Sequence, residues 1–84
     1  MNRKEITDKL YNIARPYVQQ KEALEDFSMD TDLLRDLKIN SANLIDIVLD
    51  VEDEFGVSIE NAEMELMINV RSVVELLENK LDAK

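Results

Sequence analysis

Eighty-four residues, 45% of them hydrophobic, suffice for one folded domain spanning 1–84 around a small core. A formal net charge of −9 disfavours nucleic acid and anionic membranes and favours basic protein partners. With neither Cys nor His, the chain lacks a disulfide framework, a thiolate metal site, the usual general base and a thiol nucleophile.

The chain has a single Gly and a single Pro, which suits helices joined by few tight turns. Ile6, Leu10, Ile13 and Tyr17, with Ala14 and Val18 alongside, repeat at helical spacing and predict a first helix from about Arg3 to about Gln19. Pro16 lies within it and predicts a kink or an early end near Arg15. A long loop follows, from about Gln20 to Asn40, rich in the turn formers Ser28, Asp30, Thr31 and Asp32. Leu33, Leu34, Leu37 and Ile39 should pin it to the core, with one helical turn over Asp32 to Leu37. A second helix should start at Ser41 and end at Phe55, where Gly56 supplies a left-handed stop. Glu60 to Met67 reads as a short helix with Met64, Leu66 and Met67 partly buried. Asn69 caps a last helix whose stripe is Val70, Val73, Val74, Leu77 and Leu81. The expected fold is all-α: a small four-helix bundle, three main helices plus one short helix, with a long first loop.

Charge is concentrated in the middle of the chain. Residues 39–70 contain no Lys or Arg but eight carboxylates, and so hold −8 of the net −9. At about 100° per residue, Leu44, Val48, Val51 and Phe55 share the core face of the second helix, with Ile47 at its edge. Ile45 and Leu49 lie on another flank beside Glu52, with Asp46 and Asp53 just past it. Exposed apolar residues ringed by carboxylates suit a transient interface, in which charge steers a basic partner and the apolar centre adds affinity. The alternative is that the long loop covers Ile45 and Leu49. Ser41, at the start of this helix, reads as a modified hydroxyl displayed on a docking surface; on that residue alone, a plain N-cap is the competing reading.

Asp36-Leu37-Lys38-Ile39-Asn40-Ser41-Ala42, followed by Leu44 to Phe55 and then Gly56-Val57-Ser58-Ile59, resembles the acyl carrier proteins. In that family a serine in an Asp-Ser-Leu motif opens the second helix and receives 4′-phosphopantetheine from coenzyme A. The helix ends in a Glu-Glu-Phe-like sequence fourteen residues later. Here Asp53-Glu54-Phe55 closes it at that spacing from Ser41. The resemblance runs from Ile6 to Leu81. It implies a carrier, not an enzyme, holding acyl groups as thioesters on an arm attached to Ser41. Lys38 stands where a glycine is common, Asn40 replaces the usual aspartate, and Ala42 the usual large apolar residue. These departures imply a specialised pathway with its own transferase or partners.

The implied partners are a phosphopantetheinyl transferase and acyl-transferring, condensing or ligating enzymes with basic docking surfaces. The pathway would be fatty-acid-like, polyketide-like or a specialised lipid one. The expected contact residues are Asn40, Ala42, Ile45, Asp46, Leu49, Glu52 and Asp53, with Glu63 and Met64 on the short helix. No catalytic residue and no metal site are expected. Asp30, Asp32 and Asp36 are closely spaced but lack the central Gly and terminal Glu of a calcium loop. No apolar run exceeds three residues, so neither a membrane span nor a signal-peptide core is expected, and the cytoplasm is the default location of a monomer. The rival function is an unmodified acidic helical adaptor that binds proteins through the same helix.

Overall fold

The computed structural model describes residues 2–82. Four α-helices follow in order: α1 (Arg3–Ala14), α2 (Ser41–Phe55), the short α3 (Asn61–Met64) and α4 (Val70–Asp82), with 3₁₀ turns at Arg15–Tyr17 and Lys21–Asp26. The only extended pairing among the described residues is an isolated bridge between Asp32 and Asn69. The all-α bundle of three main helices and one short helix is therefore the observed architecture.

α1 is capped by Asn2, whose side-chain oxygen accepts from the Glu5 amide at 2.8 Å, and it buries Ile6, Leu10 and Ala14. It ends at Ala14, with Arg15 as its C-cap, which is the early end expected from Pro16 rather than the full apolar pattern to Gln19. Pro16 has no amide hydrogen to continue the helix and its ring crowds the preceding turn, so the chain tightens into the 3₁₀ turn and then extends at Val18. Lys21 closes this end by donating to the carbonyls of Arg15 (2.7 Å) and Val18 (2.8 Å).

The long loop carries structure of its own. Leu24 is buried, and Phe27 meets Tyr11 edge to face with ring centroids 5.1 Å apart. The loop is sewn to the start of α4: Leu33 donates to the Ile68 carbonyl, Val70 to Thr31 and Arg71 to Met29, at 2.9–3.0 Å. Thr31, the one buried polar side chain among the described residues, donates to the Asp26 carbonyl and accepts from the Ser28 amide. The expected helical turn at Asp32–Leu37 is present as a single turn, in which the Asp36 and Leu37 amides donate to the Asp32 carbonyl at 3.0 and 3.1 Å. Asp32 accepts side-chain bonds from the Leu34 and Arg35 amides, while its own amide donates to Asp36. The Asp32 side chain thus caps this turn, taking amides that have no acceptor within it. Leu33, Leu37 and Ile39 are buried as expected, but Leu34 is 45% exposed, because the turn rolls it onto the outer surface.

Lys38 closes this loop in the left-handed region, with φ at 54°, the only non-glycine residue so placed among those described. That explains why a glycine suits this position: a β-carbon there costs roughly 1–2 kcal/mol. Gly56 takes the same conformation (φ 65°) at the end of α2, where its amide and that of Val57 both donate to the Glu52 carbonyl.

The core is a contiguous cluster in which α1 packs on α2 and α4. α2 contributes Ile47, Val48, Val51 and Phe55. Ile47 is fully buried rather than marginal, and Leu44 is only half-buried because it borders a surface groove. α3 stops at Met64, and the chain leaves through a tight turn in which Leu66 donates to the Glu63 carbonyl and Met67 to Met64. This turn buries Met67 and leaves Leu66 59% exposed, against the expectation of partial burial. Asn69 and Ser72 cap α4 reciprocally, the Ser72 amide donating to the Asn69 side chain and the Asn69 amide to the Ser72 hydroxyl.

Lys38→Gly should raise stability by up to about 1 kcal/mol in urea unfolding. Relief of the left-handed strain outweighs the added freedom of the unfolded chain. A loss of stability would mean that the lysine side chain supports the loop.

Candidate functional site

The N-terminus of α2 is built by Asn40, not by Ser41. Asn40 is extended (φ −78°, ψ 163°) and its side-chain oxygen accepts from the Asn43 amide at 2.7 Å. Its carbonyl accepts from Leu44 at 3.0 Å. That is the geometry of an N-cap. Ser41 is the first helical residue and is exposed, and its hydroxyl has no hydrogen-bond partner among the described residues. The amides of Ser41 and Ala42 are likewise left without acceptors there, as the first turn of a helix requires. They sit at the positive end of the helix dipole, where an anion is favoured. With the amide-bearing Asn40 at the cap, the serine hydroxyl is left unbonded, a division of labour that neither of the two readings of Ser41 anticipated.

Ser41 borders an open groove of about 480 Å³ with Leu44, Ile45, Asn61, Met64 and Glu65. A second groove, of about 460 Å³, shares Leu44, Met64 and Glu65 with it and continues past Leu34, Met67 and Ile68, with Asp32 and Arg35 at its edge. Half-buried Leu44 and Met64 therefore line both grooves.

On the flank of α2, Ile45 is 52% and Leu49 54% exposed. The long loop does not cover them. Asp46 and Asp53 are exposed, with no hydrogen-bond or ion-pair partner among the described residues. Glu52 differs: it is half-buried, and its carboxylate accepts from the Ile59 amide at 2.7 Å, tying the link after Gly56 to the helix. Glu63 is also engaged within the molecule. Its carboxylate accepts from the Glu60 amide at 3.0 Å and pairs with Lys80 at 2.8 Å. The Glu60 amide first and Lys80 second hold the Glu63 carboxyl below its ordinary value. Its stabilising effect is present above the ordinary carboxylate range and is lost as pH falls through the lowered value. Sequence spacing counts these carboxylates alike; only the fold separates Asp46 and Asp53 from Glu52 and Glu63.

Other members of the acidic block are similarly occupied. Tyr17 donates its hydroxyl to Asp50 at 2.8 Å, which raises the phenol's pKa, and Glu54 lies 3.7 Å from Lys9. Asp32 and Asp36 are consumed in the turn of the long loop. Among the described residues, no three carboxylates stand together as metal ligands, and no helix is long and apolar enough to cross a membrane.

The family model for the phosphopantetheine attachment site matches residues 18–78. The acyl carrier protein of Coprothermobacter proteolyticus is 33% identical over 84 residues, the whole of both chains. That of Thermotoga maritima is 32% identical over 82 residues, covering 95% of this chain and 96% of its own. That of Petrotoga mobilis is 36% identical over 58 residues, covering 69% and 68%.

Truncation separates the two kinds of apolar residue on α2. Ile47→Ala should cost about 2–5 kcal/mol in chemical denaturation, whereas Ile45→Ala should stay within about 0.5 kcal/mol of the parent. Equal costs would mean that the Ile45 flank is packed in solution.

Proposed function

This chain belongs to the acyl carrier protein family, and on that footing we propose that Ser41 is the residue that carries its 4′-phosphopantetheine arm. The protein is a carrier rather than a catalyst, and holds its cargo as a thioester on that covalent arm. The arm supplies the terminal thiol that a chain without Cys lacks. The observation that carries the assignment to Ser41 is its exposed, unbonded hydroxyl at the first position of α2, beside two free amides.

The roles of the chain's own residues follow from this placement. The Ser41 oxygen attacks the coenzyme A pyrophosphate: an oxygen–phosphorus bond forms, the pyrophosphate bond breaks, the nucleotide leaves, and the hydroxyl proton passes to the transferase. The Ser41 and Ala42 amides, at the positive end of α2, are the groups that would hold the arm's phosphodiester. Asn40 holds that end of the helix in place, and Leu44, Ile45 and Met64 offer an apolar wall to the root of the arm.

Partner enzymes dock on the α2 flank, where Asp46 and Asp53 steer basic surfaces and Ile45 and Leu49 provide the apolar contact. Glu52 and Glu63 contribute to the field but are held by their internal bonds. Asn40, Ala42 and Met64 border the approach to Ser41. The partners are the phosphopantetheinyl transferase and acyl-transferring, condensing or ligating enzymes of a fatty-acid-like, polyketide-like or specialised lipid pathway. The carrier acts in the cytoplasm as a monomeric single domain.

Intact mass after incubation with coenzyme A and a broad-specificity phosphopantetheinyl transferase tests the assignment. The parent chain should gain one arm, and Ser41→Ala none. Because Asn40 provides the cap, Ser41→Ala should melt within about 0.5 kcal/mol of the parent, whereas Asn40→Ala should lose about 1 kcal/mol. A Ser41→Ala chain that still gains the arm would sink the assignment. A parent chain that gains none would favour the unmodified adaptor.

A further inference from the structure

Of the four helices, α3 has the least to hold it in place. It is four residues long and buries none of them, and a helix of that length has no stability of its own. The core is built where α1 packs on α2 and α4, and α3 meets it through half-buried Met64. Yet α3 supplies one side of the groove beside Ser41. Asn61, Met64 and the C-cap residue Glu65 share its rim with Leu44 and Ile45 of α2.

One carboxylate oxygen both orders α3 and ties it down. Glu63 Oε1 accepts from the Glu60 amide at 3.0 Å, which satisfies a donor at the start of α3. The same oxygen pairs with Lys80 of α4 at 2.8 Å. The Lys80 and Glu63 side chains are 21% and 29% exposed, the most shielded ion pair among the described residues and the one that reaches α3. Glu60 and Glu65 flank it, exposed and without an ion-pair partner among the described residues. Lys80 alone therefore offsets the repulsion among three neighbouring carboxylates.

Because one oxygen serves both contacts, the internal order of α3 and its attachment to α4 are coupled. Without Lys80, the Glu63 carboxylate is left among like charges, and the side chain that closes the first turn is free to leave it. We propose that the Glu63–Lys80 pair is a clasp that sets how often α3 lifts as a unit and opens the groove beside Ser41, while the three main helices stay folded. Its bearing on the arm rests on Ser41 as the attachment site; its action on α3 does not. Both ends of the moving piece are fixed. Ile59 is tied ahead of it by Glu52, and Met67 is buried behind it.

The test is read on the full chain without its arm, and so does not depend on Ser41. Dilute hydrogen peroxide converts an accessible methionine to its sulfoxide. Met64 is the reporter, and Met29, half-buried on the long loop, is the internal reference. The parent is compared with Lys80→Leu, with Glu63→Gln, with the double variant and with the charge-keeping Lys80→Arg. Lys80→Leu should speed Met64 oxidation about fivefold. Exchange of the Met64 amide, which donates to the Glu60 carbonyl at 2.9 Å, should rise by the same factor. Met29 oxidation and amide exchange in α1, α2 and α4 should not change. Lys80→Arg should restore the parent rates, and adding Glu63→Gln to Lys80→Leu should add little. Unchanged rates at Met64 overturn the proposal, as does failure of Lys80→Arg to restore them. An equal rise throughout the main helices also overturns it, since Lys80 would then stabilise the whole fold rather than α3. A parent chain that takes no arm in the loading assay overturns the Ser41 reading alone.

Discussion

The hydrogen bond from the Asn43 amide to the Asn40 side chain organises the functional end of this molecule. It fixes where α2 begins, and that start sets the direction in which every residue of the helix points. With the cap at Asn40, Ile47 and Val51 turn fully into the core while Ile45 and Leu49 turn out of it. The same bond relieves Ser41 of a capping duty that serine often performs. An exposed hydroxyl and two free amides then stand at the positive end of a fifteen-residue helix whose other end is stopped by Gly56.

The acidic block divides into two populations with different physical roles. Glu52 and Glu63 are drawn into backbone hydrogen bonds, and Asp50 and Glu54 meet Tyr17 and Lys9. These interactions join α2 and α3 to the neighbouring links and to α1 and α4, though pairs this exposed add little stability individually. Asp46 and Asp53 stay open to solvent, where charge acts mainly on encounter with a partner. Self-repulsion within the block opposes folding, and the tight core beneath it, with Ile6, Leu10, Val51 and Leu77 fully buried, opposes that repulsion.

Helix periodicity made most of the bundle legible in the sequence. The stripes of α1 and α4, the bounds of α2 and the glycine stop all depend on local spacing. Pro16 marked the early end of α1 within its apolar pattern, and the turn at Asp32 formed where it was expected. What spacing could not resolve was which way the turns aim their apolar residues. Leu34 and Leu66 carry the composition of core residues yet face outward, because the turns that carry them are fixed by backbone bonds to α4 and α3. The place of Ser41 at the head of α2 was legible from the helix spacing to Phe55. The cap on Asn40 was not, since both residues are good caps and only the fold distinguishes them. Nor did the sequence separate the open carboxylates from the bonded ones, because that depends on where the Glu60 and Ile59 amides lie in space.

Amide hydrogen exchange at Asn43 tests the central claim most directly, read in the parent, Ser41→Ala and Asn40→Ala chains. If Asn40 caps α2 and leaves Ser41 free, protection of the Asn43 amide persists in Ser41→Ala and collapses in Asn40→Ala. Protection lost in Ser41→Ala and kept in Asn40→Ala would make Ser41 the cap and contradict the account.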